Sequence, residues 1–133
     1  MNKRILEQVI KHILEFSDER VDFIWHGGEP LIAGLDFFKT IILFQRKYNK
    51  KNLLIKNNVQ TNGTLLSEEF RNFFESNEFM IGTSIQGTKQ IHDSMRIDSV
   101  GKPTYERLIQ NISKLKNKPS AIMVLTKEIL GKE

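Results

Sequence analysis

Apolar residues follow two alternating spacings along this chain. Ile5, Leu6, Val9, Ile10, Ile13 and Leu14 recur at steps of three and four, the mark of one helical face. Val21-Asp22-Phe23-Ile24-Trp25-His26 then reads as a short strand closed by Gly27-Gly28. Leu35 to Tyr48 returns to helical spacing through Phe37, Phe38, Ile41, Ile42 and Leu43, and Leu54 to Thr61 reads as a strand stopped by Asn62-Gly63. Ser67 is placed to cap a helix over Glu68 to Glu75, with two acids in its first turn and Phe70, Phe73 and Phe74 on one face. Met80 to Ile85 predicts a third strand, stopped by Gly87. Pro103-Thr104 opens a helix carrying Leu108, Ile109, Ile112 and Leu115, and Ser120 to Leu125 predicts a fourth strand. The longest stretch without a pattern is Gly87 to Lys102, whose length marks it as a functional loop.

Helix and strand thus alternate four times over. This predicts an α/β fold: a parallel sheet of about four strands with right-handed crossover helices, in one domain spanning residues 1–133. Composition agrees, since 39% hydrophobic and 27% charged residues are globular proportions. A net charge of +4 is too small to point to a nucleic-acid partner. No apolar run approaches about 18 residues, and the basic N-terminus lacks a small-residue cleavage site, so no membrane partner is expected and a cytoplasmic location is the default. The sequons at Asn62 and Asn111 then carry no meaning. The chain has no cysteine, which excludes disulfides, thiolate zinc sites, cysteine nucleophiles and cysteine-held iron–sulfur clusters within it.

The candidate chemistry lies in the turns after the strands: His26-Gly27-Gly28-Glu29-Pro30, Gln60-Thr61-Asn62-Gly63 and Ser84-Ile85-Gln86-Gly87. In parallel α/β folds the carboxyl ends of the strands share one edge, where ligands bind. The turns therefore converge, although each alone could be only a tight turn. In the first, backbone carbonyls beside Gly27 and Gly28 and the Glu29 carboxylate suit an ammonium group, which offers only donors. Arg96 could supply a fork for a carboxylate, or could be a surface arginine paired with Asp93 or Asp98. Ammonium and carboxylate together describe an amino acid or a cofactor built from one.

Other signals are weaker. Gly82 to Lys89 approximates a phosphate-binding loop, but threonine precedes lysine and the first glycine lies inside a strand. His12, His26 and His92 lack short ligand spacing, and no serine sits in a nucleophile elbow. The phenylalanines recur at helical spacing and read as core. Lys47, Lys50, Lys51 and Lys56 read as a solvated face.

Four ordered motifs, Trp25-His26-Gly27-Gly28-Glu29-Pro30-Leu31, Gln60-Thr61-Asn62-Gly63-Thr64-Leu65-Leu66, Gly82-Thr83-Ser84-Ile85-Gln86-Gly87 and His92-Asp93-Ser94-Met95-Arg96, resemble radical S-adenosylmethionine (radical SAM) enzymes. The nearest branch is the anaerobic sulfatase-maturating enzymes and arylsulfatase regulators with a SPASM-type C-terminal extension. Gly101-Lys102-Pro103-Thr104 and Val124-Leu125-Thr126-Lys127 are similar to that branch too. The resemblance implies part of a (β/α) barrel, with S-adenosylmethionine across the carboxyl ends of the strands. It implies that Gly27, Gly28, Glu29 and Pro30 hold the cofactor's ammonium and that Ser84 and Arg96 meet its carboxylate. Gln60 and Asn62 would line the cofactor or substrate side. In the family a 4Fe-4S cluster binds the cofactor and a 5′-deoxyadenosyl radical takes hydrogen from a substrate. In this branch the substrate is a peptide or protein whose cysteine or serine becomes formylglycine.

The sequence departs from that pattern. The family's C-x-x-x-C-x-x-C loop, its first strand and its later strands have no counterpart here, and Gln86 stands where the family usually has aspartate. The expectation is a fragment of such an enzyme, inactive alone, with no catalytic or metal residue of its own. The alternative is a degenerate, cluster-free module for S-adenosylmethionine binding or protein interaction. A four-stranded piece of a barrel leaves unpaired edges, so self-association or pairing with the missing portion is expected.

Overall fold

The computed structural model describes residues 1–127 and Leu130. Its strands are β1 (Arg20–Trp25), β2 (Leu54–Thr61), β3 (Met80–Ser84) and β4 (Ser120–Ile122), all parallel and in the order β1-β2-β3-β4. The helices are α1 (Lys3–Phe16), α2 (Leu35–Tyr48), α3 (Glu68–Ser76), α4 (Lys89–Met95) and α5 (Tyr105–Ile112), with a one-turn 3₁₀ helix at Pro30–Ala33.

Because each strand pairs with the next in sequence, right-handed crossovers lay the helices on one face of the sheet. Strand period decides which residues meet them. In β1, Val21 and Phe23 are buried while Asp22 and Ile24 are exposed. The register aligns Phe23 with Asn57 and Trp25 with Val59, and then Val59 with Ile81 and Thr61 with Thr83, on that same buried face. Against it pack Leu6, Ile10 and Leu14 of α1, Phe38, Ile41 and Phe44 of α2, and Phe74 of α3. Phe38 is fully buried and meets Phe37, Phe70, Phe74 and Phe79 edge to face, at centroid separations of 5.1–6.1 Å. The phenylalanines are core, as their spacing predicts. The opposite sheet face is open, with Ile24, Leu54, Met80 and Ile122 all more than half exposed.

Local signals account for the ends. Asn2 Oδ1 accepts from Ile5 N–H (2.9 Å) at the start of α1, and Ser67 Oγ accepts from Phe70 N–H at the start of α3. Within the helix layer, Asn57 and Gln45 exchange reciprocal side-chain hydrogen bonds of 2.9 Å each, and Trp25 Nε1–H donates to Asn57 Oδ1 at 2.9 Å. This satisfied polar network holds β1 to β2 one residue before the first glycine turn.

Two expectations are corrected. The stretch from Gly87 to Lys102 is not irregular throughout, because it contains α4. The fourth strand ends at Ile122, not Leu125: β3 stops at Ser84, and Val124 N–H donates instead to the Gln86 side-chain oxygen (3.1 Å). The lysines form a solvated face as expected, Lys47, Lys50 and Lys51 being exposed, and two of them are also tied. Lys47 pairs with Glu7 at 2.7 Å, and Lys51 Nζ donates to the Glu15 and Ser17 carbonyls at 2.9 Å each.

Candidate functional site

The turns after β1, β2 and β3 meet at one edge of the sheet, as the topology requires. Gly27 and Gly28 have φ of 106° and 56°, which side-chain-bearing residues rarely adopt, and nothing lies within 4 Å of where a Cβ would stand. This backbone is therefore open to a ligand.

Glu29 does more than point into that space. Its Oε1 accepts from Leu31 N–H (3.0 Å) and from the Thr61 hydroxyl (2.7 Å), and its Oε2 accepts from Asn62 N–H (2.8 Å). The carboxylate thus caps the 3₁₀ helix that Pro30 begins and binds the first turn to the second. Its four or so lone-pair positions leave room for one more donor. In the second turn, Asn62 Oδ1 accepts from both the N–H (2.9 Å) and the hydroxyl (2.7 Å) of Thr64, so its NH₂ is what remains for a ligand.

Gln60 and Ser84 meet on the open face, Gln60 Nε2 donating to Ser84 Oγ at 3.4 Å. Gly82 makes this possible, since a Cβ there would collide with the Gln60 side-chain oxygen. The neighbouring Gln86 is buried at 2% exposure, and it reaches β4's continuation rather than the site.

Arg96 follows α4. Asp98 does not pair with it but with Arg107, at 3.0 Å, and also accepts from the N–H groups of Val100 and Lys102. Asp93 accepts from Thr104 N–H (3.1 Å) and Tyr105 N–H (2.9 Å), capping α5 from outside. Arg96 therefore forms no ion pair among the described residues, and its buried Nε–H has no partner there. It lines a cavity of about 500 Å³ together with Glu29, Asn62, Thr64, Asp98 and Arg107. The structure thus brings Glu29, Asn62 and Arg96 to one cavity, and Gln60 and Ser84 to a second cluster on the open sheet face. Gly27, Gly28 and Pro30 form the turn above without lining that cavity. A larger cavity of about 600 Å³, lined by Glu75, Met80, Leu115 and Lys118, lies at the opposite edge and contains none of the candidate residues.

Sequence reasoning missed the role of His92, which is 1% exposed beneath Arg96. Burial, and then the Arg96 charge, pull its pKa below the usual 6.5 against the opposing pull of Asp93. The signal was its place four residues before Arg96, one helical turn away.

Among known proteins, residues 1–129 match the Radical SAM superfamily. The cysteine-type anaerobic sulfatase-maturating enzyme of Clostridium perfringens (strain 13 / Type A) is 40% identical over 129 residues, covering 95% of this chain and 35% of the relative. The serine-type enzyme of Bacteroides thetaiotaomicron is 39% identical over 117 residues, covering 87% and 28%. The solved structure of native anSMEcpe with bound AdoMet and Cp18Cys peptide superposes with a TM-score of 0.86 at 37% identity, covering 92% of this chain and 34% of that one. The chain therefore spans about a third of the length of these relatives. With its singly wound parallel sheet, its converging turns and a match over nearly its whole length, the chain belongs to the radical SAM superfamily.

Proposed function

We propose that this chain forms the part of a sulfatase-maturating radical SAM enzyme that cradles the amino-acid end of S-adenosylmethionine. The single observation that carries the reading is Arg96, whose buried Nε–H has no partner among the described residues and which lines a cavity with Glu29 and Asn62. A donor left unsatisfied in this way is costly unless a ligand completes it. A carboxylate matches the guanidinium, whereas Ser84, which the resemblance sets against the same carboxylate, lies with Gln60 on the open sheet face. An ammonium matches the open backbone at Gly27 and Gly28 and the spare acceptor capacity of Glu29. The residues present therefore fit the methionyl part of the cofactor.

They do not fit the cluster. The chain has no cysteine, and among the described residues no group of three or more His, Asp or Glu side chains is placed to hold a metal. A 4Fe-4S cluster would need ligands from outside this sequence, and the chain alone is proposed to be inactive. Held in a whole enzyme, S-adenosylmethionine would supply the chemistry of hydrogen-atom abstraction. This chain's own residues bind and orient the amino-acid end. The substrate proposed for the whole enzyme is a peptide cysteine or serine, in keeping with the peptide named in the solved neighbour.

Titration calorimetry with S-adenosylmethionine tests the reading. Binding that Arg96→Ala abolishes supports it, and binding unaffected by Arg96→Ala overturns it. The lack of cysteine favours a second reading, a protein-interaction module without cofactor, and absence of any binding would select that one.

A further inference from the structure

His92 is buried and tied at both ring nitrogens, yet the binding proposed above does not use it. Gln86 N–H donates to its Nδ1 at 3.2 Å, so Nδ1 must be the unprotonated acceptor. The proton of the neutral ring then lies on Nε2, which donates to Thr104 Oγ1 at 3.1 Å. The Thr104 hydroxyl in turn donates to the Arg96 carbonyl at 2.8 Å. Only one direction of donation satisfies every link. It runs from the third strand-end turn, through the imidazole, to the backbone of the arginine. Arg96 N–H also donates back to the His92 carbonyl at 2.8 Å, so this short loop leaves Arg96 little backbone freedom.

We propose that His92 is a positioning residue: as a neutral Nε2–H imidazole it locks the Gln86 turn and, through Thr104, the Arg96 backbone, and so aims the guanidinium at the cavity it shares with Glu29 and Asn62. The aim matters only on the reading of Arg96 as the fork for a ligand carboxylate, and the inference rests on that reading. A second proton on the ring would turn Nδ1 into a donor facing the Gln86 N–H and break the first link. The groups that set the ring's protonation are few. Asp93 and Arg96 act from α4 and its end with opposite signs, and burial disfavours the charged ring. The Tyr105 ring of α5 lies edge-on at 5.5 Å, and the third turn presents only the Gln86 amide. Lys89 is 3.9 Å from Asp93 and is itself paired with Glu106 at 2.6 Å.

Nitrogen-15 NMR of the full chain tests this through the His92 ring and the Arg96 Nε–H. The result expected at pH 7.5 is the Nε2–H tautomer. On acidification the Arg96 Nε–H signal should shift with the same midpoint as the ring, below pH 6.5. Thr104→Ser should keep that coupling, and Thr104→Val should reduce it to the direct effect of the ring charge on Arg96 while His92 still titrates. An Nδ1–H tautomer, an Arg96 signal indifferent to the ring, or coupling undiminished in Thr104→Val overturns the proposal. Calorimetry with S-adenosylmethionine then separates the layers. Thr104→Val should weaken binding about tenfold, the loss expected from one hydrogen bond, and Thr104→Ser should restore it. Coupling by NMR without cofactor binding by the wild-type chain would sink the functional reading and leave the positioning role standing. Binding equally tight in Thr104→Val would sink the positioning role.

Discussion

Glu29 offers the sharpest test of how the site is built. Replacing it with alanine removes the acceptor of three hydrogen bonds, from Leu31 N–H, the Thr61 hydroxyl and Asn62 N–H. Bonds to a charged acceptor contribute about 1.5–3 kcal/mol each. Water can replace the carboxylate at Asn62, which is half-buried, but less readily at Leu31, which is 3% exposed. It cannot easily do so at Thr61, which is 2% exposed and whose oxygen already accepts from Gly63 N–H at 3.0 Å. The hydroxyl proton is left stranded, and the expected net loss is about 3 kcal/mol. For a domain of this size that lowers Tm by roughly 10 °C. Glu29→Gln should cost less, about 1–2 kcal/mol, since one oxygen can still serve Leu31 and Thr61 while the new NH₂ faces the Asn62 N–H. Urea denaturation of Glu29→Ala, Thr61→Val and the double variant isolates the shared bond. A coupling of about 1 kcal/mol is expected, and additivity within about 0.3 kcal/mol would refute the clamp.

Other consequences are as direct. Gly63 has φ of 73°, and a Cβ there would run into fully buried Leu108, so Gly63→Ala should lower stability by about 3 kcal/mol in chemical denaturation. Stability should also depend on pH in two steps. The folded pKa of His92 lies below 6.5, so its contribution is complete above pH 6.5 and declines as the pH falls from there toward the folded value. Glu7, Glu75 and Asp98 have lowered values, and their contributions fade at lower pH, as the pH falls from their ordinary values of 4.5 and 3.8 toward the folded ones. Thermal melts between about pH 2 and 8 should show both steps, with the first missing in His92→Phe. Finally, Ile24, Leu54, Met80 and Ile122 stand exposed on the open sheet face, and β1 and β4 each pair on one side only among the described residues. Sedimentation should show self-association that weakens in Ile24→Lys, whereas a clean monomer at high concentration would count against it.

Most of the fold was legible because its signals are local. Ser67 caps its helix as a serine before two glutamates should, and the period-two burial of Val21 and Phe23 is visible in the letters. The helix α4 was hidden for a physical reason. It is seven residues long, and its buried side chain is His92, so no apolar period betrays it. The convergence of the strand-end turns was also legible, since parallel topology dictates it. The partners of their side chains were not. Glu29 looks like a free carboxylate until Thr61 and Asn62, more than thirty residues away, are brought to it. Likewise Asp98, the neighbour most able to neutralise Arg96, is instead taken by Arg107 across a turn that closes only in three dimensions.

Those hidden partners explain why a site built on loops can be well defined. The Glu29 carboxylate ties the first turn to the second, Gln60 ties the second strand's end to Ser84 on the third, and His92 with Thr104 ties the third turn to Arg96. Each link uses a polar side chain that is chemically able to bind a ligand, so most of the polar capacity at this edge goes to holding its own geometry. Among the described residues of this edge, what remains for a ligand is small and specific: the Arg96 guanidinium, the Asn62 NH₂, one position on Glu29 and the open glycine backbone. A ligand that meets this remainder finds donors and acceptors already fixed in place, and it need not supply the free energy to order them. On the proposed reading, selectivity for an amino-acid-like end would follow from subtraction, because only the groups not used by the fold are left to read the ligand.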